Sequence, residues 1–348
     1  YSIVDRIFIS KMPDGDLALA GVGVCGPIVT LITSFSYLMG LGGAPLLAMK
    51  MGEGDRKSGE KILFNCFVML VAISAILTAG FLIFKRGLLF AFGASTESIG
   101  YSDDYMTINV VGSVFALLSV GLNSFITAQG FSGTAMMTVI IGAVTNVVLD
   151  PLFIFTFGMG VRGAAVATVI SQFLSALWAV LFLALSKRLK VRLKLQRLSW
   201  KIMTRVMKLG FSPFIIIATD SVLTIVLNSV LQKTGGAQGD VYVAAATIVV
   251  SYMQLILMPM GGLTMACQPV VSFNYGARNS ARVKAAVRDA VIIMFCFTVT
   301  MAAVSQFLPQ YFVRIFTENP EVTEVAVSGM RVYTAGIIVL SMQYVGVD

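Results

Sequence analysis

Apolar residues run along this chain in long blocks, broken by short clusters of charge or of Gly and Pro. Blocks of this length match the roughly 20 residues a helix needs to cross a bilayer core about 30 Å thick. The breaks place spans at about 17–49, 62–84, 105–128, 135–157, 163–186, 209–232, 241–273, 290–313 and 325–347. A partial tenth span precedes them. Residue 1 is Tyr inside an apolar stretch and the last residues still read as a span, so both ends read as truncations, with no signal peptide to remove. The predicted fold is all-α, a polytopic membrane protein with about ten helices.

Composition supports that reading. The 348 residues are 57% apolar and 12% charged, with a mean hydropathy of +0.88, whereas a soluble domain is about 25% charged. The net charge of +8 would suit nucleic acid, but its placement argues otherwise. Seventeen of the 25 Lys and Arg lie in three loops, at 50–61, 187–208 and 278–288. Seven, namely Lys11, Lys85, Arg86, Arg162, Lys233, Arg314 and Arg331, fall on the opposite side, and Arg6 lies in the first partial span. By the positive-inside rule the three loops are cytoplasmic, and those near Asp14, Asp103, Asp240 and Glu318 face outward. Basicity here reports orientation, and nucleic acid is not an expected partner. Cys25, Cys66, Cys267 and Cys296 lie in apolar runs without metal-site or disulfide spacing and read as packing residues. Histidine is absent, so proton traffic near neutral pH falls to carboxylates.

The chain repeats itself. Gly42-Gly43-Ala44-Pro45 through Gly52 to Arg56 resembles Ala266-Cys267-Gln268-Pro269 through Gly276 to Ser280, at a constant offset of 224 residues. Each stretch ends a span, makes a basic turn and starts the next helix. Two bundles in the same orientation are therefore predicted, related by an axis along the membrane normal. The basic segment Lys187 to Lys208 reads as the cytoplasmic connector between lobes 1–196 and 197–348, and equally as a segment that binds lipid headgroups.

Acidic residues inside spans cost about 2.5–3.5 kcal/mol on insertion scales, so each is a functional candidate. Asp5, Asp150 and Asp220 are the ones embedded in apolar surroundings, with Asp348 ambiguous at the chain end. Asp150 lies about 10 Å from the outer end of its span at 1.5 Å per residue. Asn146 shares its helix face, and Pro151 removes a backbone donor beside it. That combination suits a hard cation or a proton, or else hydrogen bonds that hold neighbouring helices together. Asp5, next to Arg6, reads as a buried acid or as half of an Asp–Arg surface pair. Asp220 has nothing basic within reach on its own helix, so it faces a cavity or is protonated. Met39, Met49, Met136, Met137, Met258, Met260 and Met265 line a plastic pocket or fill core. Gly40, Gly42, Gly43, Gly261 and Gly262 most simply allow close helix packing.

Three stretches carry a family resemblance: Ala128-Gln129-Gly130, Asn146 through Phe155, and Gly158-Met159-Gly160-Val161-Arg162-Gly163 through Gln172. They resemble the fourth-to-sixth-helix signature of the MATE (multidrug and toxic compound extrusion) transporters. Val4-Asp5-Arg6 through Ser10 resembles the end of that family's first helix, and Gln268-Pro269 through Ala277 its eighth helix and following turn. The resemblance implies two pseudo-symmetric six-helix bundles around a cleft. It further implies an antiporter that exports organic cations or amphipathic compounds in exchange for H⁺ or Na⁺ by alternating access. The family's N-lobe cation site falls on Asp5, Asn146, Asp150 and Thr168, with the helix bend at Pro151. Asp220 lies near an acidic position on the family's helix 7, one residue closer to Pro213, and is a candidate C-lobe acidic site. The implied partners are small amphipathic or cationic molecules and membrane lipids. The chain is expected to be a monomer with no cofactor and no enzymatic activity. The alternative within transport is a flippase for a lipid-linked sugar, which would favour a strongly cationic cleft; here nearly all Lys and Arg lie in loops. A membrane enzyme would need a dense constellation of acids or metal ligands, and a channel suits the repeat less well.

Overall fold

The computed structural model describes residues 5, 8, 9, 12, 15–91, 99–234, 239–314 and 320–347, and among them it is helical with no strand. Residues 5, 8 and 9 belong to a first helical stretch. The later helices are α1 (Gly15–Gly52), α2 (Arg56–Ala91), α3 (Ile99–Val111), α4 (Ser113–Ala128), α5 (Ser132–Pro151), α6 (Gly160–Leu185), α7 (Trp200–Thr234), α8 (Gly239–Gly276), α9 (Ser280–Phe307), α10 (Pro309–Val313), α11 (Pro320–Tyr333) and α12 (Ile337–Val347). Among the described residues, seven helices are long and apolar enough to cross a membrane, or eight if the bent pair α3–α4 makes one span. The protein is a multi-pass membrane protein.

Three expected spans are interrupted. The stretch 105–128 falls on α3 and α4, which meet at 52° around Gly112, where a side chain would run into Val169 of α6. The stretch 290–313 breaks at Leu308, which leaves helical geometry (φ −126°, ψ 27°) because Pro309 follows it. The stretch 325–347 is split by a turn at Thr334, Ala335 and Gly336. Arg6, Lys11, Asp14, Glu318 and Asp348 lie outside the described residues.

The helices are built to a membrane rule, with small and polar residues inside and large apolar ones outside. On α5 the buried residues are Ala135, Thr138, Gly142, Asn146 and Asp150, spaced three or four apart along one stripe, while Met136, Val139, Val144 and Val148 are exposed. The buried face of α6 is mostly Gly, Ala, Ser and Thr, and Ser175 Oγ donates to Thr138 O on α5 at 2.9 Å.

The chain divides into two compact units, residues 1–221 and 222–348. The core of the first gathers residues from Ile9 to Val206. Within it α1 and α7 cross backbone to backbone at Gly42 and Gly210: a Cβ on Gly210 would fall on the Leu38 carbonyl, and one on Gly42 on that of Val206. A Cβ on Gly43 would lie 2.6 Å from the Phe125 ring and 2.7 Å from Cys66 Sγ, and one on Gly40 2.8 Å from Ser124 Oγ. Close packing therefore explains Gly40, Gly42 and Gly43. It does not explain Gly261 and Gly262, which face open space. The methionines divide likewise. Met39 and Met260 are buried core residues, Met49 is half-buried, and Met136, Met137, Met258 and Met265 are exposed. All four cysteines are free; Cys25 and Cys66 are packed inside, whereas Cys267 is half-buried and Cys296 exposed, so only two of the four behave as core.

The sequence repeat reappears in the backbone. α1 and α8 each have 38 residues, and their ends coincide at the 224-residue offset, as do the starts of α2 and α9. The turns match bond for bond. Asp55 N donates to Lys50 O and Asn279 N to Asn274 O, both at 2.9 Å. Asp55 Oδ1 caps α2 through Ser58 N at 3.1 Å, and Asn279 Oδ1 caps α9 through Arg282 N at 3.2 Å. The residue before each cap has positive φ, +80° at Gly54 and +57° at Arg278.

Candidate cation site

Asn146 and Asp150 are buried because the α5 stripe that carries them faces inward, and the same stripe is visible in the spacing of small and polar residues along the helix. Just past Asp150 the helix changes character. Pro151 has helical angles (φ −62°, ψ −31°) but no N–H, and from it the chain enters a five-residue π-helical turn, Leu152–Thr156, closed by Phe157 N to Leu152 O at 2.9 Å. So Pro151 marks a local widening of the helix. Gly163 allows α6 to close against this turn, since a Cβ there would lie 2.7 Å from the Phe153 carbonyl. Thr168 follows on α6 five residues later, about one and a half turns along. From the first helical stretch, Phe8 meets Phe155 of the π turn edge-on at 6.3 Å, next to the fully buried Ile9.

These contacts bring together residues more than 140 positions apart. The Asn146 side-chain amide donates to Asp5 Oδ1 and to Asp150 Oδ1, each at 3.1 Å, with Thr168 Oγ1 at 3.3 Å. Thr168 Oγ1 donates to Asp5 Oδ2 at 2.8 Å. Asp5, Asn146 and Asp150 have no exposed surface, and Thr168 is buried. A fifth member is Tyr105 on α3, whose hydroxyl donates to Asp5 Oδ2 at 2.9 Å. Tyr105 stands at the start of an apolar block, directly after Asp103 and Asp104, and nothing else in the sequence marks it; a buried phenol needs a partner. That its partner is Asp5, a hundred residues away, is settled only by the fold.

The cluster is short of positive charge. Both Asp5 oxygens accept hydrogen bonds, but Asp150 Oδ2 and Asn146 Oδ1 are buried without a hydrogen-bond partner. Among the described residues no Lys or Arg pairs with either carboxylate; the ion pairs, such as Lys85–Asp103 and Arg162–Asp104, lie elsewhere. Two acids sharing one amide in a lipid-embedded interior are costly when both are ionised. A proton on one of them, or a small cation between the unpartnered oxygens, removes that cost. Asp220 lies within helix α7, but its side chain is outside the described residues.

Comparison with known proteins adds to this geometry. The family model described as MatE matches residues 1–152 and 214–346. The "Multidrug export protein MepA" of Staphylococcus aureus (strain NCTC 8325 / PS 47) is 24% identical over 340 residues, covering 97% of this chain and 74% of that protein. The protein of the same name from Staphylococcus haemolyticus (strain JCSC1435) is 25% identical over 347 residues, with the same coverage. Among solved structures, a MATE crystal structure in the bent conformation superimposes with a TM-score of 0.92 at 23% identity, over 99% of this chain and 76% of that one. A MOP superfamily transporter from Pyrococcus furiosus gives 0.86 at 24% identity, over 99% and 78%. At these identities the structures speak for the fold.

Proposed function

Because this chain belongs to the MatE family, we propose that it is a secondary active antiporter that exports amphipathic or cationic small molecules in exchange for H⁺ or Na⁺. The named relatives are multidrug export proteins, which supports the direction and the class of cargo. The coupling ion is held by Asp5, Asn146, Asp150 and Thr168, with Tyr105 orienting Asp5. One observation carries this reading: two buried carboxylates share a single amide, while Asp150 Oδ2 and Asn146 Oδ1 have no partner. Single atoms of Ser36, Asn123 and Gln129 are also buried without a partner, but only here do the leftover oxygens lie beside two buried acids, whose charge a proton or small cation would offset.

The cluster joins the first helical stretch, α3, α5 and α6, so loading it changes the forces between four elements at once. The π turn after Pro151 is the adjustable part, because its backbone departs from regular α-helical bonding within a turn of Asp150. Cation binding there favours one arrangement of these helices and drug binding the other, which is alternating access. Thermodynamic linkage then requires drug and cation each to weaken the other by the same factor. The test is ethidium efflux from proteoliposomes with pH and Na⁺ gradients imposed separately. One gradient should drive efflux in the wild type, and Asp150→Asn should abolish it without loss of reconstituted protein. Unchanged efflux in Asp150→Asn removes Asp150 from the mechanism.

A further inference from the structure

The segment between α6 and the middle of α7 has features that the cation site does not account for. Nine basic residues lie between Lys187 and Lys208 with no Asp or Glu among them. The positive-inside rule accounts for the sign of this charge, but not for the large apolar residues exposed beside it. The backbone of the segment is fixed in place. Val191 N donates to Gln129 Oε1 at 3.1 Å, Ser199 N to Asn65 Oδ1 at 2.8 Å and Leu193 N to Leu183 O at 2.8 Å. Arg56 Nε donates to Lys190 O at 2.8 Å, and Leu189 and Val191 are buried beneath the strap.

What this clamp presents outward is amphipathic. Leu195, Leu198 and Trp200 are 89%, 59% and 76% exposed, an apolar display that water alone does not reward. Beside them Arg197, Lys201, Arg205 and Lys208 are exposed, and among the described residues no acid pairs with any of these four. Along α7 the positions 200, 201, 204, 205 and 208 share one face, and the exposed Phe211 and Ile215 continue that face toward the apolar part of the helix. At 1.5 Å per residue, Lys208 lies only about 5 Å before Phe211. Lys208 therefore borders the apolar part of the helix, where a membrane-crossing helix passes through lipid headgroups.

We propose that this strap is a binding surface for anionic phospholipid headgroups: Arg197, Lys201, Arg205 and Lys208 pair with the phosphates, and Leu195, Leu198 and Trp200 enter the interface. Charge complementarity selects the lipid class, and a cytoplasmic leaflet rich in anionic lipid supplies it. This inference does not depend on the cation site.

The chain has two tryptophans, Trp178 and Trp200, so Trp178→Phe leaves Trp200 as the reporter. The Trp178→Phe protein is placed in phosphatidylcholine nanodiscs that carry an equal small fraction of either phosphatidylglycerol or phosphatidylcholine brominated near the headgroup. Local enrichment of anionic lipid makes the brominated phosphatidylglycerol quench Trp200 at least about twofold more. Removing charge with Lys201→Gln, Arg205→Gln and Lys208→Gln together should erase that difference. Lys201→Arg with Lys208→Arg, which keeps charge and controls for folding, should retain it. Equal quenching by the two lipids in the parent protein overturns the proposal. So does loss of the difference on adding inorganic phosphate at matched ionic strength, which would make this a site for soluble anions.

Discussion

The two units both bury polar side chains, but among the described residues only those of the first include buried side-chain atoms left without a hydrogen-bond partner. In residues 222–348 the described buried hydroxyls bond to one another or to backbone carbonyls: Thr334 Oγ1 lies 2.8 Å from Ser305 Oγ and 2.7 Å from Met330 O, and Tyr252 donates to Met301 O at 2.8 Å. No charge is involved, and the bonds pin the turn between α11 and α12 to α9. In residues 1–221 two carboxylates converge on one amide, and within that cluster Asn146 Oδ1 and Asp150 Oδ2 are left without partners, as single atoms of Ser36, Asn123 and Gln129 are elsewhere in the unit. What sets the cluster apart is the pair of buried acids with no basic partner among the described residues, the feature on which the proposed cation site rests.

The largest expected effect follows from that contrast. Asp5→Asn or Asp150→Asn should lower efflux at least about tenfold, in the range of measured coupling between sites. Thr334→Val or Ser305→Ala should leave efflux within about twofold and cost about 1 kcal/mol of stability. Efflux rates beside thermal unfolding in detergent measure both. If Thr334→Val silences transport as fully as Asp150→Asn, the distinction between ligand site and structural network is lost.

Next come the glycines. Gly210→Ala drives a methyl group into the Leu38 carbonyl and should cost about 3 kcal/mol, read as a lowered unfolding temperature. Gly261→Ala meets open space and should stabilise its helix by about 0.5–1 kcal/mol. Equal shifts at the two positions would show that α1 and α7 do not cross at Gly210.

Smaller effects separate the two copies of the repeated turn. Arg278 holds the left-handed conformation that Gly54 holds without strain, so Arg278→Gly should stabilise by about 1 kcal/mol and Gly54→Arg should destabilise by as much. The smallest effect concerns the caps. Hydrogen bonds from the Ser58 hydroxyl and N–H, aided by Lys50 and Lys61, hold the Asp55 carboxyl below the usual aspartate range. A depressed carboxyl contributes stability above its ordinary pKa of about 3.9 and loses it as pH falls through the lower folded value. Asn279 does not titrate. Acidification from pH 5 to about 3 should therefore reduce amide-exchange protection in the first turn of α2 relative to that of α9, by a few tenths of a kcal/mol at this exposed site. Parallel loss in both turns would contradict the capping assignment.

Much of this was legible beforehand. The length of the apolar runs is a one-dimensional property, so α1, α2, α5, α6 and α8 lie where the blocks fall. The repeat was readable because Pro45, Pro269, Gly52 and Gly276 mark the same geometry twice, although the identity of the two caps emerged only with the backbone. The breaks at Gly112 and Thr334 escaped notice because apolarity continues across them; one depends on Val169 and the other on Ser305, both distant in sequence. Asn146 and Asp150 declared themselves by their four-residue spacing inside a span. Asp5 needed the family resemblance. Tyr105 had no local signal, since its role rests on a contact across a hundred residues.

The proposed competition between the exported compound and a cation at Asp5, Asn146 and Asp150 is a property of binding alone. Its most direct test is to add tetraphenylphosphonium to the purified protein in weakly buffered detergent and follow proton release with a pH dye and Na⁺ release with an ion electrode. The wild type should release one of the two ions on binding and Asp150→Asn should release neither. Binding to the wild type with neither ion released, or equal release from Asp150→Asn, would contradict the account.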